Sequence, residues 1–98
     1  METEVAKPQN KIHEIHFAVE NATSFGEEMA AVGENDFLGN WNLDNALKLS
    51  WTAGNIWRAV YTFPNEPHNF EFKYVTLVKN GNHRWEPGNN RKFEKLNG

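Results

Sequence analysis

Two runs of alternating residues constrain this chain more than any other feature. In Ile56–Phe63, the apolar Trp57, Ala59, Tyr61 and Phe63 fall in one phase. In Asn69–Lys79, Phe70, Phe72 and Tyr74 share a phase, with Leu77 nearby, while Glu71 and Lys73 take the other. Successive side chains of an extended chain point to opposite faces, so one apolar phase defines a strand buried on one side. The two runs are separated by Pro64–His68, where two prolines remove ladder donors and break the pairing. A third alternating run, Ile15, Phe17 and Val19 between Glu14, His16 and Glu20, predicts another strand of this kind.

Shorter signals fill the rest. Asn21–Gly26 reads as a turn, Glu28–Gly33 as a short strand centred on Ala30 and Ala31, and Gly33–Asp44 as a long polar connection. Leu47, Leu49 and Trp51 alternate, and Gly54 marks the turn that follows. Asn80-Gly81 is a strong hairpin dipeptide, and His83–Glu86 and Lys92–Leu96 complete the strands. Helical period is absent over any full window, one turn around Leu43–Leu47 excepted. The expected fold is all-β, an antiparallel sandwich of about seven to eight strands.

A chain of 98 residues has room for one such core. The formal net charge is -3, with no Lys/Arg cluster, which argues against a nucleic-acid partner because phosphate neutralisation needs a basic face. There is no Cys, hence no disulfide framework and no thiolate metal site. Met1–Asn10 is polar and is expected to be a disordered leader ahead of a module spanning residues 11–98. Neither a signal peptide nor a membrane-crossing segment is legible, and a cytoplasmic setting is expected. Asn21-Ala22-Thr23 is taken as a chance glycosylation sequon.

Catalytic motifs are missing: G-x-S-x-G, the P-loop and H-E-x-x-H do not occur. His13 and His16 sit in opposite phases of one strand and cannot easily share a metal. Neither cofactor nor metal is expected. The aromatic residues stand out instead, with four Trp, seven Phe and two Tyr. Trp57 is in phase with the core. Trp41, between Asn40 and Asn42, and Trp85, in Arg84-Trp85-Glu86-Pro87-Gly88, occupy polar segments. An exposed indole offers a flat apolar face, and nearby amides, carboxylates and an ammonium offer donors and acceptors. That combination suits a pyranose, whose C–H face packs on a ring while its rim of hydroxyls takes hydrogen bonds.

The ordered set Phe25-Gly26-Glu27, Val32-Gly33, Leu38-Gly39-Asn40-Trp41, Leu49, Trp57, Phe72-Lys73-Tyr74 and Trp85-Glu86-Pro87-Gly88-Asn89-Asn90-Arg91 resembles the starch-binding carbohydrate-binding modules of family 20 over about residues 12–96. The resemblance implies an immunoglobulin-like sandwich with two glucan sites. In the first, Trp41 and Trp85 would form a platform for adjacent glucose units, with Lys73, Glu86 and Asn90 on their hydroxyls; Arg91 is read as half of a structural ion pair, the alternative being a ligand contact. Gly26, Gly33 and Gly39 would be turn residues. In the second, the family often has a Tyr after the first strand, where this chain has Phe25, and another in the loop before the Trp57 strand. Thr52-Ala53-Gly54-Asn55 has none. Trp51 could take its place, although its phase with Leu47 and Leu49 points to the core.

The expected function is non-catalytic binding of α-1,4-glucan: starch, glycogen, maltooligosaccharides and cyclodextrin. The module would be a monomeric part of a larger multidomain protein, holding an attached glucan-active enzyme on its polymer. The competing class is a protein-interaction sandwich that has lost sugar binding. Intact Trp41, Trp85 and Lys73 weigh against it.

Overall fold

The computed structural model describes residues 13–63 and 66–94. The expected leader Met1–Asn10 lies outside them, as does Leu96. Among the described residues, eight strands form two antiparallel sheets. The first sheet has the order β1-β5-β4, where β1 is His13–Glu20, β4 is Ser50–Thr52 and β5 is Ile56–Phe63. The second has the order β3-β2-β6-β7, from β2 (Glu28–Gly33), β3 (Leu47–Lys48), β6 (Phe70–Leu77) and β7 (Arg84–Trp85). Strand β8, Arg91–Phe93, pairs with β6 below β7. This is the all-β sandwich that the alternation predicts.

The alternating runs meet as one core. Ile15, Phe17 and Trp57 from the first sheet face Met29, Ala31, Phe70, Phe72 and Tyr74 from the second. Trp57 is buried, and its indole N–H donates to the Asn21 carbonyl at 3.3 Å. One position differs. Thr76, not Leu77, continues the inward row of β6, because strict alternation carries Leu77 to the outer face. The buried Thr76 hydroxyl is satisfied by the Met29 sulfur at 3.1 Å and the Asn21 amide at 3.3 Å. Asn21 thereby bridges the two sheets.

Two segments behave differently from their sequence pattern. The run Leu47–Trp51 is not one strand: Leu47–Lys48 pairs with β2, and Ser50–Thr52 crosses to pair with β5. The polar connection Gly33–Asp44 also contributes to the core. A 3-10 turn at Asp36–Leu38 buries Leu38 completely and stacks Phe37 on Tyr61, with ring centroids 4.2 Å apart. A second 3-10 turn at Leu43–Asn45 is the single helical turn that the sequence suggests.

Candidate functional site

The outer face of the second sheet carries an apolar floor. Ala30, Val32 and Val75 alternate away from the core, yet each is 0% exposed and none belongs to the core cluster. Val32 lies opposite Lys73, and Val75 lies between Ala30 on β2 and Trp85 on β7. Side chains directly opposite on neighbouring strands are about 5 Å apart at Cβ, so Trp85 packs beside Val75. Its indole stays 44% exposed.

Trp41 follows a tight turn that returns to the end of β2. Its backbone N–H donates to the Gly33 carbonyl at 3.0 Å, at the end of β2. Gly39, Asn40 and Trp41 all have positive φ, at 79°, 50° and 67°. Gly39 is required: a Cβ there would meet the Asn42 carbonyl at 2.7 Å. Gly33 is not a turn residue, contrary to expectation. It lies in β2, and a Cβ would collide with the Glu71 carbonyl and the Phe72 backbone, so it permits close strand approach. A left-handed conformation at a bulky residue such as Trp41 costs on the order of 1–3 kcal/mol and is held here by the surrounding hydrogen bonds. The ring ends up at the surface, 37% exposed.

Lys73 sits on β6, between β7, which carries Trp85, and the end of β2, to which the Trp41 backbone is tied. Its ammonium donates to the Glu86 carbonyl at 2.9 Å and to the Gly88 carbonyl, leaving one of an ammonium's three N–H donors. Lys73 thus fastens the Trp85–Gly88 rim to β6. The Glu86 carboxylate accepts from the Tyr74 N–H at 2.9 Å and from Arg91 Nε at 2.9 Å. The second bond is the ion pair expected of Arg91, and Glu86 holds the Arg91 guanidinium above its usual value. Asn90 donates to Glu71 at 3.0 Å. The structure joins Lys73 and Glu86 to the rim that carries Trp85, ties Asn90 to Glu71 of β6, and ties the Trp41 backbone to the end of β2. It also gives Lys73, Glu86 and Asn90 intramolecular partners that the sequence does not disclose.

Phe25 and Trp51 lie elsewhere. Phe25 tips the β1–β2 loop, fully exposed. Trp51 is 56% exposed, which overturns the core reading of its phase. It does sit opposite buried Trp57, but β4 is the last strand of its sheet, so its outer flank has no covering neighbour. Its indole N–H donates to Asn55 at 3.1 Å. The Asn21 N–H donates to the Asn55 carbonyl at 2.9 Å, which ties the Trp51 turn to the start of the Phe25 loop.

One determinant was not legible in the sequence. Glu27, two residues after Phe25, forms two 2.9 Å hydrogen bonds to Arg84, the neighbour of Trp85. This fork holds the Glu27 carboxyl below its ordinary value, helped by the Ser24 N–H. The residues are 57 apart in sequence, and only strand pairing brings them together.

Exposed indoles at a β-sheet, with the Lys73 ammonium hydrogen-bonded to the rim beside Trp85, suit a binding surface. Among the described residues, no group of His, Asp and Glu is placed to hold a metal ion. The profile of the family described as "Starch binding domain" matches residues 12–98, and the chain belongs to that family. A cyclomaltodextrin glucanotransferase of Bacillus sp. (strain 1-1) is 33% identical over 88 residues, which is 81% of this chain and 12% of that protein. An alpha-amylase of Streptomyces violaceus is 35% identical, over 76% of this chain and 13% of its own length. The chain thus spans only about an eighth of these relatives. Among solved structures, the family 20 CBM of the maltotetraose-forming amylase from Pseudomonas saccharophila STB07 superimposes with a TM-score of 0.71 at 26% identity, covering 86% of this chain and 91% of that one. The chain is a non-catalytic module that binds starch-type α-glucan.

Proposed function

We propose that Trp41 and Trp85 form the principal glucan platform, each indole packing on the C–H face of one glucose unit, and that the free N–H of Lys73 donates to a hydroxyl between them. The observation that carries this reading is that Trp41 and Trp85 are both exposed, with Trp85 on β7 and the Trp41 backbone tied to the end of β2, the two strands that border Lys73 on β6. The rim carbonyls of Glu86 and Gly88 orient Lys73, while Glu86 and Asn90 hold the rim and turn their remaining lone pairs toward sugar hydroxyls. Phe25 and Trp51 supply a second, smaller contact surface. The likeness to parts of much longer amylases and glucanotransferases supports a role as a tether for an attached glucan-active enzyme. Glycogen offers the same α-1,4 chains and is a ligand on this reading. The net charge of -3 supports a neutral sugar over a nucleic acid. The module works as a monomer, in the cytoplasm.

Single-site affinity is set by a shallow surface and falls on the order of micromolar to millimolar, with polymer attachment depending on several contacts at once. The test is a calorimetric titration with a cyclic maltooligosaccharide at low and high salt, with and without chelator. Affinity is expected to be unchanged, because a neutral ligand releases no counterions. A tenfold loss at high salt, or equal retention on cellulose and on starch, would sink the platform reading.

A further inference from the structure

Edge strand β7 separates two environments. Trp85 lies opposite Val75 on the outer face, whereas Arg84 lies opposite Thr76 and so faces inward. Behind β7, a cleft of about 430 Å³ opens between the two sheets. Tyr74 and Thr76 line it from β6, Glu20 and Asn21 from the end of β1, and Arg84, Glu86 and Arg91 from the β7 side. Trp85 and Pro87 stand at its lip. Strand β7 ends the sheet order on this side, and Trp85, on its outer face, also lines the cleft behind it.

The chemistry of the cleft selects a neutral, hydroxyl-rich ligand. Both cations are already compensated, Arg84 by Glu27 and Arg91 by Glu86, each at 2.9 Å, and Glu20 adds a further carboxylate. A phosphate needs uncompensated guanidinium and finds none here. Donors are nonetheless present: Arg91 engages Glu86 through Nε, and among the described residues its terminal nitrogens make no hydrogen bond. Glu20 supplies acceptors, and Val19 and Met29 supply apolar surface. Small-molecule sites occupy about 300–1,000 Å³, and this one lies near the lower end, the scale of one monosaccharide.

We propose that this cleft is a third carbohydrate site, which receives one glucosyl residue branching through an α-1,6 bond from a chain lying on Trp85. It rests on the platform reading above and adds a specificity to it: branched over linear α-glucan. Seating one branch residue is expected to raise affinity by about three- to tenfold, the worth of a net hydrogen bond or so.

The test is a nitrogen-15 NMR titration of the whole chain with maltopentaose and with the same pentaose carrying one α-1,6 glucosyl branch. The Trp41 and Trp85 indole N–H signals report the platform. The Asn21 side-chain amide and the Glu20 and Thr76 backbone amides report the cleft. Both sugars are expected to move the indoles, and only the branched one the cleft, with the three- to tenfold tighter Kd. Glu20→Ala removes acceptors, and Val19→Phe fills the cleft. Either is expected to abolish the branch advantage while linear affinity stays within about twofold. Moving indoles with a silent cleft, or equal Kd values, overturns the cleft and leaves the platform standing. Silent indoles with both sugars remove the platform and the branch site with it. Inorganic phosphate that moves the cleft amides when the branched sugar does not makes the cleft an anion site and overturns the proposal.

Discussion

The two exposed aromatic regions differ in what stands beneath them. Trp85 stands beside Val75 of the buried floor Ala30, Val32 and Val75, Trp41 is tied by its backbone to the end of β2, and the rim beside Trp85 is fastened by Lys73, Glu86 and Arg91. Phe25 and Trp51 project from a loop and an edge strand, and Trp51 has the Asn55 side chain as its polar partner. Their backbones are anchored, through Glu27–Arg84 and Asn21–Asn55, while the Phe25 ring is fully exposed and the Trp51 ring, opposite Trp57, is 56% exposed. A ring that is already held costs little further ordering when a sugar docks, whereas a free ring gives up side-chain entropy on binding. On the reading proposed above, Trp41 and Trp85 carry most of the affinity, and Phe25 and Trp51 add contact area.

The largest effect belongs to the tryptophan that faces Trp51 across the β4–β5 pair. Trp57→Ala is expected to cost about 3–5 kcal/mol of stability, as for any large aromatic removed from a core. Trp51→Ala, one strand away, should stay within about 0.5 kcal/mol. Urea denaturation of both variants checks the contrast. Equal midpoints would mean that β4 is covered.

Next come the platform residues. Trp41→Ala and Trp85→Ala should each weaken cyclic maltooligosaccharide binding by about 1–3 kcal/mol, while Phe25→Ala and Trp51→Ala should cost less. Calorimetry on the four variants ranks the two regions directly. A larger loss at Trp51 than at Trp85 would reverse the assignment of principal and secondary site.

A smaller effect separates ring from backbone at position 41. Because Trp41 has a φ of 67°, Trp41→Gly should be more stable than Trp41→Ala by about 1 kcal/mol, although both lose the same indole. In most surface strands glycine would be the worse choice. Thermal melts of the pair decide whether this turn holds the strained conformation in solution.

The smallest effect is a pH dependence confined to the Phe25 loop. Glu27 titrates below its ordinary value of 4.5 because Arg84 and the Ser24 N–H favour the carboxylate. A depressed folded-state value means the pair's contribution is fully present above 4.5 and fades as pH falls through the lowered value. Amide signals of Ser24–Glu27 should therefore shift in acid well before the β-sheet core unfolds. In Arg84→Gln the same change should move to higher pH, toward the ordinary carboxylate range. A loop insensitive to both acid and substitution would show that Glu27 does not clamp it.

The alternation in Ile56–Phe63 and around Phe70–Tyr74 was enough to determine the strands, their inward faces and the place of Trp57 in the core, because side-chain phase is a local property of an extended chain. The polar settings of Trp41 and Trp85 were likewise legible. Phase does not, however, say what lies next to a face. Trp51 and Trp57 share a phase across one ladder, and only the position of β4 at the sheet edge exposes the former. Val32 and Val75 point away from the core and are nonetheless buried. Nor could any local pattern join Glu27 to Arg84, set Asn21 between the sheets, or open a cleft behind β7. Those features depend on which strands become neighbours, and that is decided by long-range pairing around a shared core rather than by the residues adjacent in the chain.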